Sequence, residues 1–392
     1  MLKMKFNDLN KQYQAYRPEI DAAIQSVIES ASFIHGKEIE LLEEELAAFA
    51  GVKHALACSS GTDALLLSLM TLDLQPGDEV ICPAFSFIAS ASMVSFCKAR
   101  PVFVDVSPID FNIDITKIEA KITPRTKGII AVSLFGQCAD FEAINQIAKS
   151  HGLWVIEDGA QSFGATYHGQ RSCSMTDIAT TSFFPAKPLG CYGDGGAIFA
   201  NNDEWAAKLK MLRSHGQEQR YQHKLIGING RMDTLQAAIL RVKLKYFEKE
   251  IKNRQQAATL YSNLLKGQVL LPEVADGRES SWAQFTVMIE NRDLVREKLA
   301  EKGIPTTVHY PIILPKQEAF RDDVLSDERF EVAELLSETV LSLPIHGFIT
   351  EEEIKLVCHE LIELLEDQPQ RREDAEKVLN LAPLRLRGEN RK

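Results

Sequence analysis

The chain has 392 residues, more than one hydrophobic core usually supports, so its length predicts two domains. A hydrophobic content of 45% with 25% charged residues is ordinary for a globular protein. The formal net charge of −11, without a basic stripe in the body of the chain, argues against nucleic-acid binding. An anionic substrate is compatible with this charge, because a local arginine cluster can override the global field.

The cysteines and the N-terminus bear on the cellular compartment. The seven cysteines are scattered and form no CxxC pair or Cys/His ligand spacing, which favours reduced thiols over disulfides or a metal site. Residues 1–8 lack the apolar core of a signal peptide, and no stretch reaches the length of a membrane span. We therefore expect a soluble cytoplasmic protein without a metal.

The N-terminal half alternates between helical and strand patterns. Residues 12–50 predict two helices broken at 33–36, and short apolar runs separated by helical stretches follow. Such alternation predicts an α/β fold with a mainly parallel sheet covered on both faces, whose ligands gather beyond the carboxyl ends of the strands. Residues 59–63, residues 85–87 and Asp158 all follow or end predicted strands. The predicted strands are residues 54–58, 79–83, 101–105, 128–132, 153–157 and 197–200.

The C-terminal half predicts a smaller α+β domain. A long charged helical pattern from about Ala237 to Leu265 would connect the two domains. Beyond it we predict a strand at 283–289, helices at 294–302 and 351–365, and a strand that ends at residues 309–311. The predicted division is a large domain over 1–240, a small domain over 241–367 and an extra tail of unknown role over 368–392.

Lys187 and Asp158 are the strongest candidates for chemistry. Lys187 lies among aromatic residues, prolines and glycines, where desolvation lowers the pKa of an amine and lets it attack a carbonyl. Asp158 ends an apolar strand. Pyridoxal phosphate (PLP) needs both groups, a lysine for its aldehyde and a carboxylate that keeps its pyridine nitrogen protonated. The alternatives are a structural loop lysine and an aspartate that caps a helix.

Further candidates surround this pair. Residues 59–63 open a helix whose N-terminus could bind a phosphate, although an ordinary helix cap has the same pattern. Ser182 could add a phosphate ligand or be a buried serine, and Phe87 could stack on a ring or belong to the core. Asn229 and Arg231 could bind phosphate or carboxylate, or be solvated loop residues. His309 taken alone would be structural.

Several stretches of the sequence resemble the DegT/StrS family of PLP-dependent sugar-nucleotide aminotransferases, and the resemblance runs from about Phe6 to Leu365. They are residues 61–65, 157–161, 182–187 with 193–196, 229–233 and 343–346. The resemblance implies the aspartate-aminotransferase-like fold (PLP fold type I) and a homodimer with shared active sites.

The resemblance also implies roles for single residues. Lys187 would bind the cofactor and transfer protons, Asp158 would pair with the pyridine nitrogen, Gln161 would lie beside the cofactor and Phe87 would stack on it. The phosphate ligands would be Gly61, Thr62, Ser182 and, from the partner subunit, Asn229. The residues near the sugar nucleotide would be Arg231, His309 and Tyr310.

Within the family, the likeness is to members that act on UDP-2-acetamido-2-deoxy-3-oxo-glucuronate. Residues 133–140, 181–196 and 233–238 carry it. It implies L-glutamate as amino donor, this keto sugar as acceptor, and an amino sugar for surface polysaccharide or glycan as product. The alternatives are a 4-keto-sugar nucleotide as acceptor, an amino-acid aminotransferase or desulfurase, and a PLP-binding regulatory protein without turnover.

Overall fold

The computed structural model describes residues 4–321 and 328–366, and over these residues helices and strands alternate. The described helices are α1 (Leu9–Ser30), α2 (Lys37–Ala50), α3 (Gly61–Thr71), α4 (Ala89–Phe96), α5 (Phe141–His151), α6 (Asp203–Leu212), α7 (Thr234–Leu265), α8 (Arg292–Glu301), α9 (Glu331–Thr339) and α10 (Glu351–Glu366). The described strands are β1 (His54–Cys58), β2 (Glu79–Pro83), β3 (Arg100–Val104), β4 (Thr126–Val132), β5 (Trp154–Asp158), β6 (Thr166–Tyr167), β7 (Gln170–Arg171), β8 (Ile178–Ser182), β9 (Gly196–Ala200), β10 (Gln217–Gln219), β11 (Gln222–His223), β12 (Arg278–Glu279), β13 (Phe285–Met288) and β14 (Val340–Leu343).

A seven-stranded sheet organises the N-terminal part, in the order β1-β9-β8-β5-β4-β2-β3. The pairs from β8 to β3 are parallel, and β9 runs antiparallel to both β8 and β1. All strands of this sheet except β9 therefore point the same way, and their carboxyl ends share one edge. The predicted mainly parallel sheet is confirmed.

Both faces of this sheet are covered, as its continuous apolar strands predict. Val80 and Cys82 of β2 pack into one cluster with Leu67 of α3. Ile81 lies between them in sequence but belongs to another cluster with Ile144 of α5. Alternate residues of one strand point to opposite faces, so each face of β2 is buried against helices.

The C-terminal part has a separate core around the antiparallel pair β13–β14. Phe285, Leu343 and Leu361 of α10 belong to one apolar cluster, which also contains Tyr261 from the end of α7. The boundary predicted at residue 240 falls inside α7, which continues unbroken from Thr234 to Leu265. The division into domains stays a prediction, and the predicted tail at 368–392 lies outside the described residues.

Local predictions had mixed outcomes. The break at 33–36 is confirmed, since α1 ends at Ser30 and α2 begins at Lys37. The predicted strand ending at residues 309–311 is wrong, because the segment forms only an isolated bridge, between Thr307 and Ser342. No helix among residues 4–321 and 328–366 is both long and apolar enough to cross a bilayer.

Candidate active site

The predicted site residues gather where the strands of the large sheet end. Asp158 is the last residue of β5 and pairs with Val132 of β4 and Thr180 of β8. Ser182 ends β8, and Gly61 begins the helix that follows β1. Because these strands run in one direction, residues far apart in sequence meet at one edge of the sheet.

Lys187 lies in the loop after β8. Burial lowers the pKa of its amine, while the negative charge of Asp158 acts in the opposite direction. The residue as a whole is half-buried. A lysine whose amine is desolvated is suited to react with a carbonyl.

Asp158 is buried beside that amine. Burial raises the pKa of its carboxyl group, opposed by the backbone N–H of Ala160 and by the charge of Lys187. The Ala160 N–H donates to Oδ1 at 3.2 Å. Within the described residues this is the one hydrogen bond recorded to the Asp158 side chain, so the carboxylate retains capacity for another donor.

Glu157, the residue before Asp158, accepts several hydrogen bonds. The sequence had not indicated a role for this residue. Its Oε1 accepts from Ser133 Oγ and Ser172 Oγ, each at 2.8 Å, and its Oε2 accepts from Cys173 N at 2.7 Å. Ser162 Oγ lies 3.3 Å from Oε1 and forms a shorter hydrogen bond, of 2.7 Å, with Ser172 Oγ. The one sequence signal for this network was a charged residue inside an apolar strand.

The N-terminus of α3 packs closely against the end of β8. Ser60 caps the helix by accepting from Asp63 N at 3.0 Å. A Cβ at Gly61 would lie 2.7 Å from Ser182 Cβ, so this approach requires glycine. Ser182 Oγ accepts from Phe184 N at 3.2 Å and keeps its own proton to donate. Thr62 occupies the next position of the helix. Such a helix start with neighbouring hydroxyls suits a phosphate.

Gln161 and Tyr310 join two distant parts of the chain. Gln161 Nε2 donates to Tyr310 Oη at 3.0 Å, and its Oε1 accepts from Phe135 N at 2.8 Å. The Tyr310 ring lies 6.1 Å from the ring of Phe87, which is 51% exposed and therefore not a core residue. The exposed face of Phe87 is open to a planar ligand.

His309 also reaches this region. Burial, with a smaller effect from the charge of Lys187, lowers its pKa to about 4, so the imidazole is neutral at pH 7. Its Nδ1 lies 2.9 Å from Ser342 Oγ, which fixes the orientation of the ring. Ser342 was not singled out in the sequence, because serine on an apolar strand carries no signal of its own.

Asn229 and Arg231 are not joined to these residues. Asn229 is exposed, and Arg231 lies near His35, whose pKa is lowered by burial and by the charge of Arg231. Across residues 4–321 and 328–366, no recorded hydrogen bond or ring contact links either of them to Lys187. Gly230 between them nevertheless accepts from Ser59 N at 3.0 Å, next to the start of α3.

Comparison with known proteins identifies the family. The sequence model of the DegT/DnrJ/EryC1/StrS aminotransferase family matches residues 14–362, and the chain belongs to this family. UDP-2-acetamido-2-deoxy-3-oxo-D-glucuronate aminotransferase of Pseudomonas aeruginosa is 48% identical over 91% of this chain and 98% of its own. A protein of Geobacillus stearothermophilus named pleiotropic regulatory protein is 41% identical over 91% of this chain and 97% of its own.

A solved structure agrees with this assignment. The crystal structure of NtdA from Bacillus subtilis with bound cofactor PMP matches with a TM-score of 0.88 and 33% identity, over 94% of this chain and 86% of that one. The aspartate-aminotransferase-like fold, the aminotransferase class and PLP as cofactor are therefore as the sequence predicted.

The residues at the sheet edge fit this cofactor. They offer a desolvated amine for an aldehyde, a carboxylate with unused hydrogen-bonding capacity, and a helix start with hydroxyls for a phosphate. When bound, PLP supplies an aldehyde that takes up the amino group and a ring that accepts electrons. Among the described residues no cluster of His, Cys, Asp and Glu is suited to a metal ion.

Proposed function

We propose that this protein transfers the amino group of L-glutamate to a UDP-linked 3-keto sugar acid, UDP-2-acetamido-2-deoxy-3-oxo-glucuronate. The observation that carries the proposal is the proximity of the Lys187 amine to the Asp158 carboxyl at the carboxyl ends of β5 and β8. The 48% identity to the Pseudomonas aeruginosa enzyme supports the choice of acceptor. The product would be an amino sugar for surface polysaccharide or glycan.

Lys187 and Asp158 would do the chemistry. Because burial favours its neutral form, the Lys187 amine can bind the cofactor aldehyde, accept a proton from the substrate carbon and return it during transfer. Asp158 would hydrogen-bond the ring nitrogen and keep it protonated. Phe87 would stack on the ring, and Gln161, held by Tyr310, would lie beside it.

Gly61, Thr62 and Ser182 would hold the phosphate through the start of α3 and its neighbouring hydroxyl. His309 and Tyr310 would contact the sugar nucleotide. The neutral imidazole of His309 can donate a hydrogen bond to a sugar oxygen from Nε2 while Nδ1 accepts from Ser342.

A homodimer would complete the site. The partner subunit's Asn229 would bind the phosphate, and the partner subunit's Arg231 would bind the sugar carboxylate or nucleotide. Within residues 4–321 and 328–366 of one chain, neither residue has a recorded hydrogen bond or ring contact with Lys187, which supports this arrangement. So do the exposed apolar side chains of Phe33, Ile34, Tyr221 and Ile226. A cytoplasmic location is proposed from the cysteines, which are all unpaired.

The first experiment is an absorbance spectrum of the PLP-loaded protein before and after L-glutamate, followed by titration with keto-sugar nucleotides. We expect a visible band that glutamate bleaches and that the UDP-linked 3-keto uronate restores. Restoration by a 4-keto sugar nucleotide alone would replace the acceptor and keep the enzyme class. Absence of the band in PLP-loaded wild-type protein, or an unchanged band in Lys187→Ala, would refute the role of Lys187.

A regulatory PLP-binding protein is a second candidate, because the Geobacillus stearothermophilus relative carries a regulatory name. The same spectrum separates the two functions. A protein that only binds the cofactor would keep its visible band at saturating glutamate and release no 2-oxoglutarate.

Turnover of simple keto acids in place of sugar nucleotides would favour an amino-acid aminotransferase.

A further inference from the structure

The loop that carries Lys187 is closed on itself by its backbone. Cys191 N donates to Phe183 O at 2.8 Å, on either side of the lysine. A Cβ at Gly190 would lie 2.5 Å from Pro185 O, so the returning chain packs directly on the outgoing one. Displacement of Gly190 would therefore displace the segment that presents Lys187.

Two side chains of α7 hold the returning half of this loop. Lys243 Nζ donates to Gly190 O, and Gln236 Oε1 accepts from Tyr192 N at 2.8 Å. A Cβ at Gly193 would lie 3.0 Å from Gln236 Nε2, so the amide packs against the loop as well. The two residues are seven positions apart, which places them on one face of the helix two turns from each other.

Lys243 is unusual because its ammonium is buried. The residue is 1% exposed, and burial lowers the pKa of the amine to about 8 while the charge of Glu250 opposes this. Within the described residues, no carboxylate forms an ion pair with it, and its recorded hydrogen bond is the one to Gly190. Its Nζ also lies 5.2 Å from the Tyr192 ring centre. Burying a lysine ammonium is costly, and the hydrogen bond and the ring contact recorded for this ammonium are both with the loop.

We propose that Lys243 and Gln236 are positioning residues that determine the position of the Lys187 amine relative to Asp158. In this proposal neither residue contacts the cofactor. They act through the carbonyl of Gly190 and the N–H of Tyr192, which fix the closed loop from the side of α7. The proposal rests on the proposed role of Lys187 as the cofactor lysine.

The test compares PLP-loaded Lys243→Met and Gln236→Leu with wild type. The readouts are the pH midpoint of the visible band, the dissociation constant for PLP, and kcat and KM with L-glutamate. For Lys243→Met we expect a shifted pH midpoint of the visible band and about tenfold weaker PLP binding, the effect of losing one charge-assisted hydrogen bond. The variant should lower kcat more than it changes KM. Gln236→Leu should change the same quantities less.

Lys245→Met is the matched control, because Lys245 is exposed on the same helix and pairs with Glu19 at 3.0 Å. It should leave the midpoint and PLP affinity unchanged. A folded Lys243→Met variant with the wild-type midpoint and affinity would overturn the proposal, even if its thermal stability were lower. If Lys243→Met does not fold, Gln236→Leu decides by the same criteria. A wild-type protein without the visible band would instead overturn the proposed function.

Discussion

Glu157 and Asp158 are adjacent carboxylates on one strand, yet their surroundings differ. Glu157 is fully buried, and Ser133 Oγ, Ser172 Oγ and the Cys173 N–H donate to it, while Ser162 Oγ lies beside it and bonds to Ser172 Oγ. Asp158 lies at the edge where the strands end and accepts from Ala160 N, with Lys187 nearby. Burial raises the pKa of both, but only Glu157 has this effect opposed by a full set of donors.

The difference separates a structural carboxylate from one available for chemistry. Both carboxylate oxygens of Glu157 already accept hydrogen bonds. The donors come from the end of β4 and from the turn around Cys173, so Glu157 links these segments to β5. Asp158 can take a further donor from a ligand. A neighbouring cation and unused hydrogen-bonding capacity are therefore better signs of function in this protein than burial or a shifted pKa alone.

The largest expected effect is at Asp158. Asp158→Asn keeps the shape of the side chain but removes the charge that would hold the ring nitrogen protonated. We expect kcat to fall by about 10²–10³ or more, with little loss of thermal stability. Steady-state kinetics beside thermal unfolding of the PLP-loaded protein measures both. A variant with near wild-type kcat would place Asp158 with the structural carboxylates.

Glu157→Ala should show the opposite pattern. It removes the acceptor of two serine hydroxyls and of the Cys173 N–H, so we expect a loss of about 3–5 kcal/mol in the free energy of unfolding. Denaturant unfolding measures it, with Glu157→Gln as the milder control. If the variant folded normally and lost only activity, the comparison between the two carboxylates would fail.

His346 and His309 extend the comparison, since burial lowers the pKa of each to about 4. His346 lies near the buried Arg254, whose charge adds to the lowering of its pKa. Its folded pKa is below the ordinary 6.5, so the stability it contributes above pH 6.5 is lost as pH falls toward 4. The loss could reach about 3 kcal/mol.

His346→Asn keeps an acceptor for Phe348 N but cannot take up a proton in this range. We therefore expect the stability difference between wild type and variant to depend on pH between 6.5 and 4 and to be constant above it. Urea unfolding at a series of pH values measures this. Parallel curves across the whole range would mean that His346 is not kept neutral by the fold.

The smallest expected effect is at Ser342. Ser342→Ala removes the hydrogen bond that orients the neutral His309 ring. We expect KM for the sugar nucleotide to rise about threefold to tenfold, while the half-reaction with L-glutamate is unchanged. Ser337→Ala, in α9, is the control. Equal effects on both half-reactions would assign Ser342 to packing instead of substrate orientation.

The sequence by itself determined the sheet, its covered faces and the group of polar residues at the strand ends. Apolar runs, glycines and the residues around Lys187 and Asp158 are local patterns, and local patterns are set by backbone geometry and burial. The family followed from the same motifs. The prediction of a strand ending at residues 309–311 was wrong, because local sequence does not by itself indicate whether a partner strand is available.

Only the tertiary structure decided which side chains meet across long stretches of chain. Gln161 and Tyr310 are 149 residues apart, and Lys243 reaches Gly190 across 53 residues. Likewise, the reversed direction of β9 and the donors around Glu157 depend on how strands and helices pack. Such contacts are chosen by the packing of the whole chain, because a hydrogen bond between distant residues leaves no periodic or compositional trace in either segment.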